Sequence, residues 1–572
     1  MTRRDRAVVL VLVLALAVIA GAVVAPSFAP VATPTAAHSI PPVVTRPYRE
    51  GVLGRATQVS PLTASTRADR DLVALVFSGL VKLGPGNTLV SDLASDWTTD
   101  AAGRVWTFRI RGDARWQDGI PVTANDVAFT IGILQDPAYT GPGAASWRDV
   151  TVRADDERTV RFDLSSPIGG FLQAATQPIV PEHRLRGVPV ARLARDPFGR
   201  APTGSGPFRL TTLDASHAVL EPATFEPPPQ PGIRSLPTDS LATQKPTPRP
   251  ERHTPALHGM EFTFFDDTPA LSAAWRAGDL DAASGLPAAD ATILAAEPGS
   301  RLIRYPSSTL TAVVLNVRKT RPEFRDPRVR LALLKATDRA TIVRDAYAGA
   351  ALRADAPIPP GSWAFDQRSS PQVGFDATAA RKDLIAAGWE MVDGKLLRPG
   401  GKRVAIDLLT PDVATNTATF SAGADIAAEW QALGLDVTQV PLSATELFGR
   451  RLRSGDFVAA VVDVNVGLDP DLYPLLASTQ VTSGGLNLGG QQDPKLDALL
   501  VKARAPGTDE TRKRAYMDLE DFLAKRQYLL PIAFRDELVV ARDTLVGPAP
   551  RQVGDPSDRY WDVLTWRLAV DG

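Results

Sequence analysis

Hydrophobic and polar residues follow two different periods within residues 105–127, VWTFRIRGDARWQDGIPVTANDV. Strict alternation over 105–111 predicts a strand with one buried face. Asp118-Gly119 then predicts a tight turn. Thr123-Ala-Asn-Asp126 is a capping box ahead of an apolar run with helical spacing, which predicts a helix over 123–134. The pattern therefore indicates strand, turn and helix in succession.

The rest of the chain mixes the same two periods. Asp-Pro or Asp at a helix start and Gly after a helix end mark several amphipathic helices. The further helices we predict are 71–83, one opening at Asp326-Pro327, one from Asp376 to Gly388, one opening at Asp493-Pro494, and 509–526. The further strands are 159–164, 403–409, 457–464 and 538–541. Helices that cover a sheet predict the α/β fold class.

The N-terminus carries a membrane signal. Residues 7–25 are 19 uncharged, mostly apolar residues, preceded by Arg3, Arg4 and Arg6. This run is longer than the core of a usual signal peptide (~7–15 residues) and near the ~20 residues that span a bilayer. We expect an uncleaved anchor, with a cleaved signal as the alternative. In both cases the arginines stay inside, and the chain from about residue 30 lies outside the cytoplasm.

Two segments are rich in proline and lack an apolar period. Residues 26–47 contain six prolines and predict an extended tether. Residues 222–255 contain ten prolines and predict an exposed loop or disordered insert. Recognition of this insert by a partner is the open alternative.

Composition excludes several classes of protein. A chain of 572 residues is long enough for several domains. Its 63 basic and 64 acidic residues leave no basic excess for a nucleic-acid partner. The absence of cysteine excludes disulfides, thiolate metal sites, Cys nucleophiles and a lipid-modified N-terminal Cys.

Catalytic motifs are missing from the sequence. The five histidines form no HExxH motif and no other metal-ligand spacing, so we expect no metal and no cofactor. Thr203-Gly-Ser-Gly-Pro207 lacks the Lys-Ser/Thr of a P-loop and predicts a turn into a strand at Phe208-Arg-Leu210. No nucleophile, base and orienting residue come together in the sequence, so we do not expect an enzyme.

The order of residues in 105–127 resembles the signature segment of extracytoplasmic solute-binding proteins of the peptide and nickel class, family 5, which serve ABC importers. Further resemblances to this family lie at Phe77-Ser-Gly-Leu80, Leu93-Ala-Ser-Asp-Trp97, Leu315-Asn-Val, Asp326-Pro-Arg-Val-Arg-Leu-Ala-Leu with Asp338-Arg339, Phe375-Asp376 with Ala387-Gly-Trp389, and Leu529-Leu-Pro-Ile532. Together the matches cover residues from about 52 to 566.

The resemblance implies a two-lobed clamshell of the type II periplasmic-binding-protein kind, with an extra subdomain in the first lobe. The implied parts are a membrane segment (1–28), a tether (29–47), the main part of lobe I (48–84, 200–288 and 527–572, with the insert 222–255), the extra subdomain (85–199) and lobe II (289–526). The implied partners are a solute and an ABC permease, and the implied state is a monomer.

Candidate ligand-binding residues come from the resemblance and from loop positions. Peptide-binding members carry an acidic residue that pairs with the peptide amine, and the matching position here is Val466. This chain therefore lacks the acidic residue at that position. If Asp463 faces the cleft, it implies a cationic or hydroxyl-rich ligand, because an unpaired buried carboxylate is costly. The full candidate set is Asp463, Asn465, Asp469, Trp363, Trp147, Asn316 and Asn487. Turn capping by Asp469 and core packing of the two tryptophans are the structural alternatives.

The resemblance thus implies a receptor, anchored on the outer face of the cell membrane or free in the periplasm or cell exterior, that captures a peptide-like or other small solute and delivers it to a permease. The alternative is a ligand-sensing or interaction protein on the same fold, without transport.

Overall fold

The computed structural model describes residues 44–224, 254–481 and 485–570. The membrane segment predicted for 1–28 lies outside these ranges, as do most of the tether and most of the proline-rich insert. The described residues belong to one compact unit, Val44–Asp571.

Strands make up one large sheet and several small ones. In chain order they are β1 (Tyr48–Leu53), β2 (Val81–Leu83), β3 (Leu89–Ser91), β4 (Ala94–Thr99), β5 (Val105–Ile110), β6 (Val150–Ala154), β7 (Thr159–Leu164), β8 (Phe208–Leu213), β9 (His217–Pro222), β10 (Met260–Phe265), β11 (Ala282–Ser284), β12 (Ser300–Leu315), β13 (Ala351–Arg353), β14 (Glu390–Val392), β15 (Lys395–Leu397), β16 (Ala405–Pro411), β17 (Asp436–Leu442), β18 (Ala459–Asn465), β19 (Leu529–Arg542), β20 (Leu545–Val546) and β21 (Arg567–Leu568).

Helices cover both halves of the large sheet. In chain order the α-helices are α1 (Arg67–Val76), α2 (Ala124–Gln135), α3 (Ala144–Trp147), α4 (Phe171–Ala174), α5 (Glu182–Leu185), α6 (Thr268–Ala277), α7 (Ala288–Ala295), α8 (Pro327–Lys335), α9 (Arg339–Asp345), α10 (Ala377–Ala386), α11 (Val413–Leu433), α12 (Tyr473–Leu476), α13 (Pro494–Arg504) and α14 (Asp509–Arg526). Short 3₁₀ turns and one π-helical segment, Thr445–Leu452, connect them.

Local sequence signals account for most helix starts. The carboxylate of Asp126 accepts a hydrogen bond from the Thr123 amide at 2.8 Å, so the capping box that begins α2 is confirmed. Asp326, Asp376 and Asp493 cap α8, α10 and α13 through their side chains, as predicted.

The helix predicted for 71–83 is wrong in its bounds. Thr66 and Asp69 form a capping box that starts α1 earlier, at Arg67. The helix ends after Val76, because the next residues turn towards a neighbouring segment and the Leu80 amide donates to the Ala175 carbonyl at 3.1 Å.

The large sheet has eleven strands in the order β17-β16-β18-β12-β19-β11-β1-β10-β9-β8, with β13 beside β19. β12 and β19 are long antiparallel strands that belong to both halves of this sheet. Their pairing shifts register between Pro306 and Leu310. We call the part on the β8 side lobe I (44–306 and 536–570) and the part on the β17 side lobe II (307–535). The crossing of β12 and β19 between them is the hinge.

Each lobe has its own hydrophobic core. One core of lobe I extends from β1 and α1 into the four-stranded sheet β4-β5-β7-β6, where Phe108 and Phe162 are completely buried. Lobe II has separate cores, one of them around Trp430 and Leu408 and another around Leu519 and Leu496. Separate cores joined by two strands give the two-lobed α/β architecture that the sequence predicted.

No helix in the described part of the chain is both long enough and apolar enough to cross a membrane.

Candidate functional site

The hinge brings together polar side chains from both long strands and from lobe II. Asp463 lies near the end of β18, opposite Thr311 of β12 in the sheet register. The Thr311 hydroxyl donates to Asp463 at 2.7 Å. Asn416 has non-helical backbone angles within α11 (φ −163°, ψ 97°), and its amide donates to Asp463 at 2.8 Å. The break in α11 at Asn416 therefore places its side-chain amide, a hydrogen-bond donor, at the hinge.

The carboxylate of Asp463 is neutralised within the chain. Thr419 donates to it at 3.1 Å, and the Nη1 atom of Arg535 on β19 lies 3.3 Å from its Oδ2 atom. Asp463 holds the pKa of Arg535 above its usual value. Thr311, Asn416, Thr419 and Arg535 together occupy about four acceptor positions, which is the capacity of a carboxylate. Asp463 therefore positions Arg535 and offers no free carboxylate to the cationic or hydroxyl-rich ligand that we expected.

The row of charges continues along β19 into lobe I. Glu537 is two residues from Arg535 and therefore on the same face of the strand. Arg67, at the start of α1, donates to Glu537 at 2.7 Å. The Nε and Nη2 atoms of Arg67 are buried and make no hydrogen bond within the described residues, and the same holds for the Nε atom of Arg535. These nitrogens are buried donors whose hydrogen-bonding capacity the described residues leave unused.

Asn465 connects β18 to the C-terminal segment. Its Oδ1 atom accepts hydrogen bonds from the Ser308 hydroxyl at 2.9 Å and from the Gly467 amide at 2.8 Å. Its Nδ2 atom donates to the carbonyl of Gly554. Both the Oδ1 and the Nδ2 atom of Asn465 are therefore hydrogen-bonded within the chain. These bonds hold β18, β12 and the C-terminal segment together at the hinge.

Asp469 and Trp363 meet at a second location in lobe II. Asp469 accepts two hydrogen bonds from Arg512 on α14, at 2.8 and 2.9 Å. The guanidinium of Arg512 also lies over the Trp363 ring, 4.6 Å from its centroid. Trp363 keeps 36% of its surface exposed and packs edge-on against Tyr516. The two candidates thus belong to one cluster, organised by an arginine that sequence reasoning missed.

The remaining three candidates, Trp147, Asn316 and Asn487, are buried and contact other residues of the chain. Trp147 is 1% exposed and packs against Phe162 and Phe171, so its candidacy as a ligand contact is wrong and the alternative of core packing holds: it is a core residue of the four-stranded sheet. Asn316 is 1% exposed and donates to the carbonyls of Gly455 and Phe457.

Asn487 is 2% exposed, and its amide donates to the Ala477 and Gln491 carbonyls, both at 2.9 Å. Asn316 and Asn487 therefore hold loops of lobe II together.

The hinge presents paired charges and guanidinium donors. In the described residues, no group of three or more His, Asp or Glu side chains is close enough to hold a metal ion. The charged side chains at the hinge are paired with one another, and the unpaired atoms among them are guanidinium donors. Such donors bind the oxygen atoms of a ligand without reacting with it.

Arg67, Glu537, Arg535 and Arg512 are the functional candidates that the sequence did not reveal. Each acts through a partner that is distant in the chain, and none lies in a short motif. Arg512 lay in a predicted amphipathic helix, but its partner Asp469 is 43 residues away.

Comparisons with known proteins agree on one family. The sequence model of "Bacterial extracellular solute-binding proteins, family 5 Middle" matches residues 88–485. The oligopeptide-binding protein AppA of Bacillus subtilis (strain 168) is 24% identical over 484 residues, which is 83% of this chain and 84% of that protein.

Two solved structures share the fold. The structure of AppA from Bacillus subtilis in complex with a nonapeptide superposes with a TM-score of 0.71 at 22% identity, covering 92% of this chain and 100% of that one. NikZ from Campylobacter jejuni in complex with Ni(L-His) gives the same TM-score, 0.71, at 22% identity, and covers 92% of this chain and 100% of that chain.

Proposed function

Because this chain belongs to family 5 of the bacterial extracellular solute-binding proteins, we propose that it captures a solute between lobes I and II outside the cytoplasm and delivers it to an ABC importer permease. The hinge carries this proposal. Two lobes with separate cores share two neighbouring strands, β12 and β19, whose register shifts where the lobes meet. Such a connection permits rigid-body closure. A solute that contacts both lobes stabilises the closed state.

We propose that the solute is peptide-like or another small molecule with a carboxylate or a similar acceptor. Arg67 supports this choice, because its Nη1 atom pairs with Glu537, its Nε atom lies 3.9 Å from Asp71, and neither Nε nor Nη2 donates a hydrogen bond within the described residues. The position that would hold an amine-binding carboxylate is Val466, which is 4% exposed, and Asp463 is occupied by its own chain. Oligopeptides are the ligands named for the relative AppA, and the NikZ structure contains Ni(L-His).

Further features of the receptor are part of the same proposal. Residues 7–25 would anchor it to the membrane, the protein would act as a monomer, and no covalent chemistry would take place in it. Residues 85–199 would form the extra subdomain of lobe I. The apolar run and its arginines support the anchor.

A thermal-shift screen tests the proposed solute class. Residues 44–572 are titrated with di- to nonapeptides, each with a free or an amidated C-terminus, and with sugars and amines as other classes. We expect stabilisation that rises with the logarithm of peptide concentration, and stronger for the free carboxylate.

Arg67→Lys is the diagnostic variant, because lysine keeps the positive charge beside Glu537 but removes the planar guanidinium donors. It should lose the preference for the free carboxylate while it keeps the melting temperature of the solute-free protein. A preference that survives Arg67→Lys would contradict the role of Arg67. Stabilisation by none of the peptides would contradict the peptide-like solute class.

A further inference from the structure

Lobe II presents a set of paired charges towards the loop that follows β7. Asp469 and Arg512 form a two-bond ion pair at 2.8 and 2.9 Å. Arg504 and Asp471 form a second pair at 3.1 Å. We call these four residues the platform. Stacking on aromatic rings holds both arginines in place: Arg512 lies 4.6 Å from the Trp363 ring centroid, and Arg504 lies 4.4 Å from that of Tyr473. The platform is therefore a rigid polar surface.

Gly169 and Gly170, in the loop after β7 of lobe I, lie directly on this platform. The Gly169 amide donates to the Arg504 carbonyl at 2.8 Å. A Cβ atom on Gly169 would come within 2.9 Å of Nε of Arg512, and one on Gly170 within 2.9 Å of Cγ of Asp469. Both distances are shorter than atoms in contact tolerate, and the ion pair keeps Asp469 and Arg512 from moving away. At this contact, lobe I therefore presents the glycine backbone of residues 169 and 170 to lobe II.

The backbone at these two positions does not itself require glycine. Gly170 has φ −86° and ψ 10°, and Gly169 does not have a positive φ. Residues other than glycine are allowed at the angles of Gly170, and neither position has the positive φ that favours glycine. What excludes a side chain is the close approach of lobe II. Gly103, in the β4–β5 turn, faces Pro506 in a similar way, but its φ of 65° favours glycine for a second reason.

A buried aromatic cluster lies directly after the two glycines and holds their loop in place. The next residue, Phe171, is 2% exposed and packs against Trp106, Trp147 and Phe162 at centroid distances of 5.5, 5.9 and 5.4 Å. A closely packed cluster of this kind has low compressibility and transmits strain. A displacement of the four-stranded sheet is therefore transmitted to the glycines. Trp147, expected to contact the ligand, supports this loop instead.

We propose that Gly169 and Gly170 are the closing face of the receptor: they let the four-stranded sheet of lobe I seat on the Asp469–Arg512 platform, and a side chain at either position holds the lobes apart as long as the Asp469 and Arg512 side chains are both present. This inference rests on the proposed function only in that the closed form is the one that retains solute. It assigns to the four-stranded sheet a direct part in closure, in addition to the motion at the hinge.

A cysteine pair tests the contact in solution without any solute. The chain contains no cysteine, so introduced thiols react without competition. In a disulfide each Cβ lies about 3 Å from the other sulfur, which is close to the 2.9 Å between a Cβ on Gly170 and Cγ of Asp469. Gly170→Cys with Asp469→Cys should therefore cross-link under mild oxidation. The control pair is Glu157→Cys with Asp469→Cys, since residue 157 precedes β7 at its far end.

Alanine variants test the need for glycine. Gly170→Ala and Gly169→Ala are compared with Gly132→Ala, whose added methyl group on α2 would meet no atom within 4 Å. Hydrogen exchange of a peptide that covers 166–172 reports the Gly169–Arg504 hydrogen bond. We expect exchange about tenfold faster or more in the two test variants, because overpacking of a tight contact usually costs that much. Gly132→Ala should exchange like the wild type.

The outcomes separate this inference from the proposed function. Rapid cross-linking of residues 170 and 469 together with faster exchange in Gly170→Ala supports the closing face. Cross-linking no faster than in the control pair, or exchange unchanged in both alanine variants, overturns it and leaves solute capture untouched. A failed solute screen would overturn the proposed function and would not alter either of these two measurements.

Discussion

The guanidinium of Arg559 donates to the carboxylate of Glu50 at 2.7 Å, and this bond joins residues 509 positions apart in the chain. Arg559 also donates to Asp71 at 2.8 Å. All three side chains are at most 1% exposed. The hydroxyls of Tyr48 and Tyr560 complete the site by donating to Glu50 at 2.8 and 2.9 Å. The C-terminal segment is thereby tied to β1 and α1 in the core of lobe I.

Replacing Arg559 by Met should lower the free energy of unfolding by about 3–5 kcal/mol, because two buried carboxylates lose their counter-charge. Urea denaturation measures this change. The matched control is Arg55→Met, which breaks an ion pair with Asp266 whose side chains are 46% and 67% exposed; it should cost far less than Arg559→Met, because solvent screens an exposed pair. Equal losses in the two variants would contradict the role given to burial.

Asp463→Asn should destabilise lobe II by about 2–4 kcal/mol, because Arg535 loses the carboxylate that neutralises it. Arg535→Met alone should also destabilise, since it leaves Asp463 without its cation. The double variant should be more stable than the sum of the two single changes implies, by about 1 kcal/mol or more. Chemical denaturation of the four proteins gives this coupling energy, and strictly additive losses would refute the pairing.

Glu520 should contribute to the pH dependence of the free energy of unfolding. Burial raises the pKa of this side chain to about 7, although the Ser370 hydroxyl and the Asp366 amide donate to it. The folded state therefore holds a proton between about pH 4.5 and 7 that the unfolded state has released. The stability contributed by this group is complete below the unfolded pKa and is lost as pH rises through the folded pKa.

Glu520→Gln should remove that pH dependence. We expect the difference in unfolding free energy between pH 5 and pH 8 to shrink by on the order of 1–3 kcal/mol relative to the wild type. Glu510→Gln on the same helix is the control, since the Glu510 side chain is 83% exposed. A pH profile identical in wild type and Glu520→Gln would disprove the assignment.

The ion pair of Asp469 and Arg512 should matter more than a neighbouring one of equal length. Asp469→Asn is expected to cost about 1–3 kcal/mol, because the pair is mostly buried, with 17% and 11% of the two side chains exposed. Asp518→Asn breaks the Lys502–Asp518 pair, also 2.7–2.8 Å long but 58% and 48% exposed, and should cost less than about 0.5 kcal/mol. Thermal unfolding of both variants makes the comparison; similar losses would count against a rigid platform.

Sequence reasoning found the elements that local chemistry determines. Helices with an Asp cap or a capping box, such as α2 and α8, begin where the motif predicts, because the cap acts within three residues. Strand β7 matches its predicted bounds, 159–164, since alternation has a clear period. The α/β class and the two-lobed fold followed from these elements and from the family resemblance.

Long-range relationships could not be found in the same way. The lengths of β12 and β19, and their sharing between two lobes, depend on pairing between residues more than 200 positions apart. Asp463 was predicted as a candidate ligand contact, but its cation is Arg535 on β19, 72 positions away, so the ion pair that occupies its carboxylate could not be predicted from the sequence. Trp147 seemed to lie in a loop because no period marks the short helix α3 that buries it. The domain boundaries stay a prediction.

Native mass spectrometry of residues 44–572, secreted by the host and purified without denaturation, tests the central claim most directly. A receptor of this family should carry solute from the host medium, so we expect a second charge series heavier by the mass of a small molecule or peptide. Mild collisional activation should release that ligand, and its fragmentation identifies its chemical class. A single ligand-free series, unchanged after incubation with a peptide digest of the host medium, would contradict capture of a solute between the lobes.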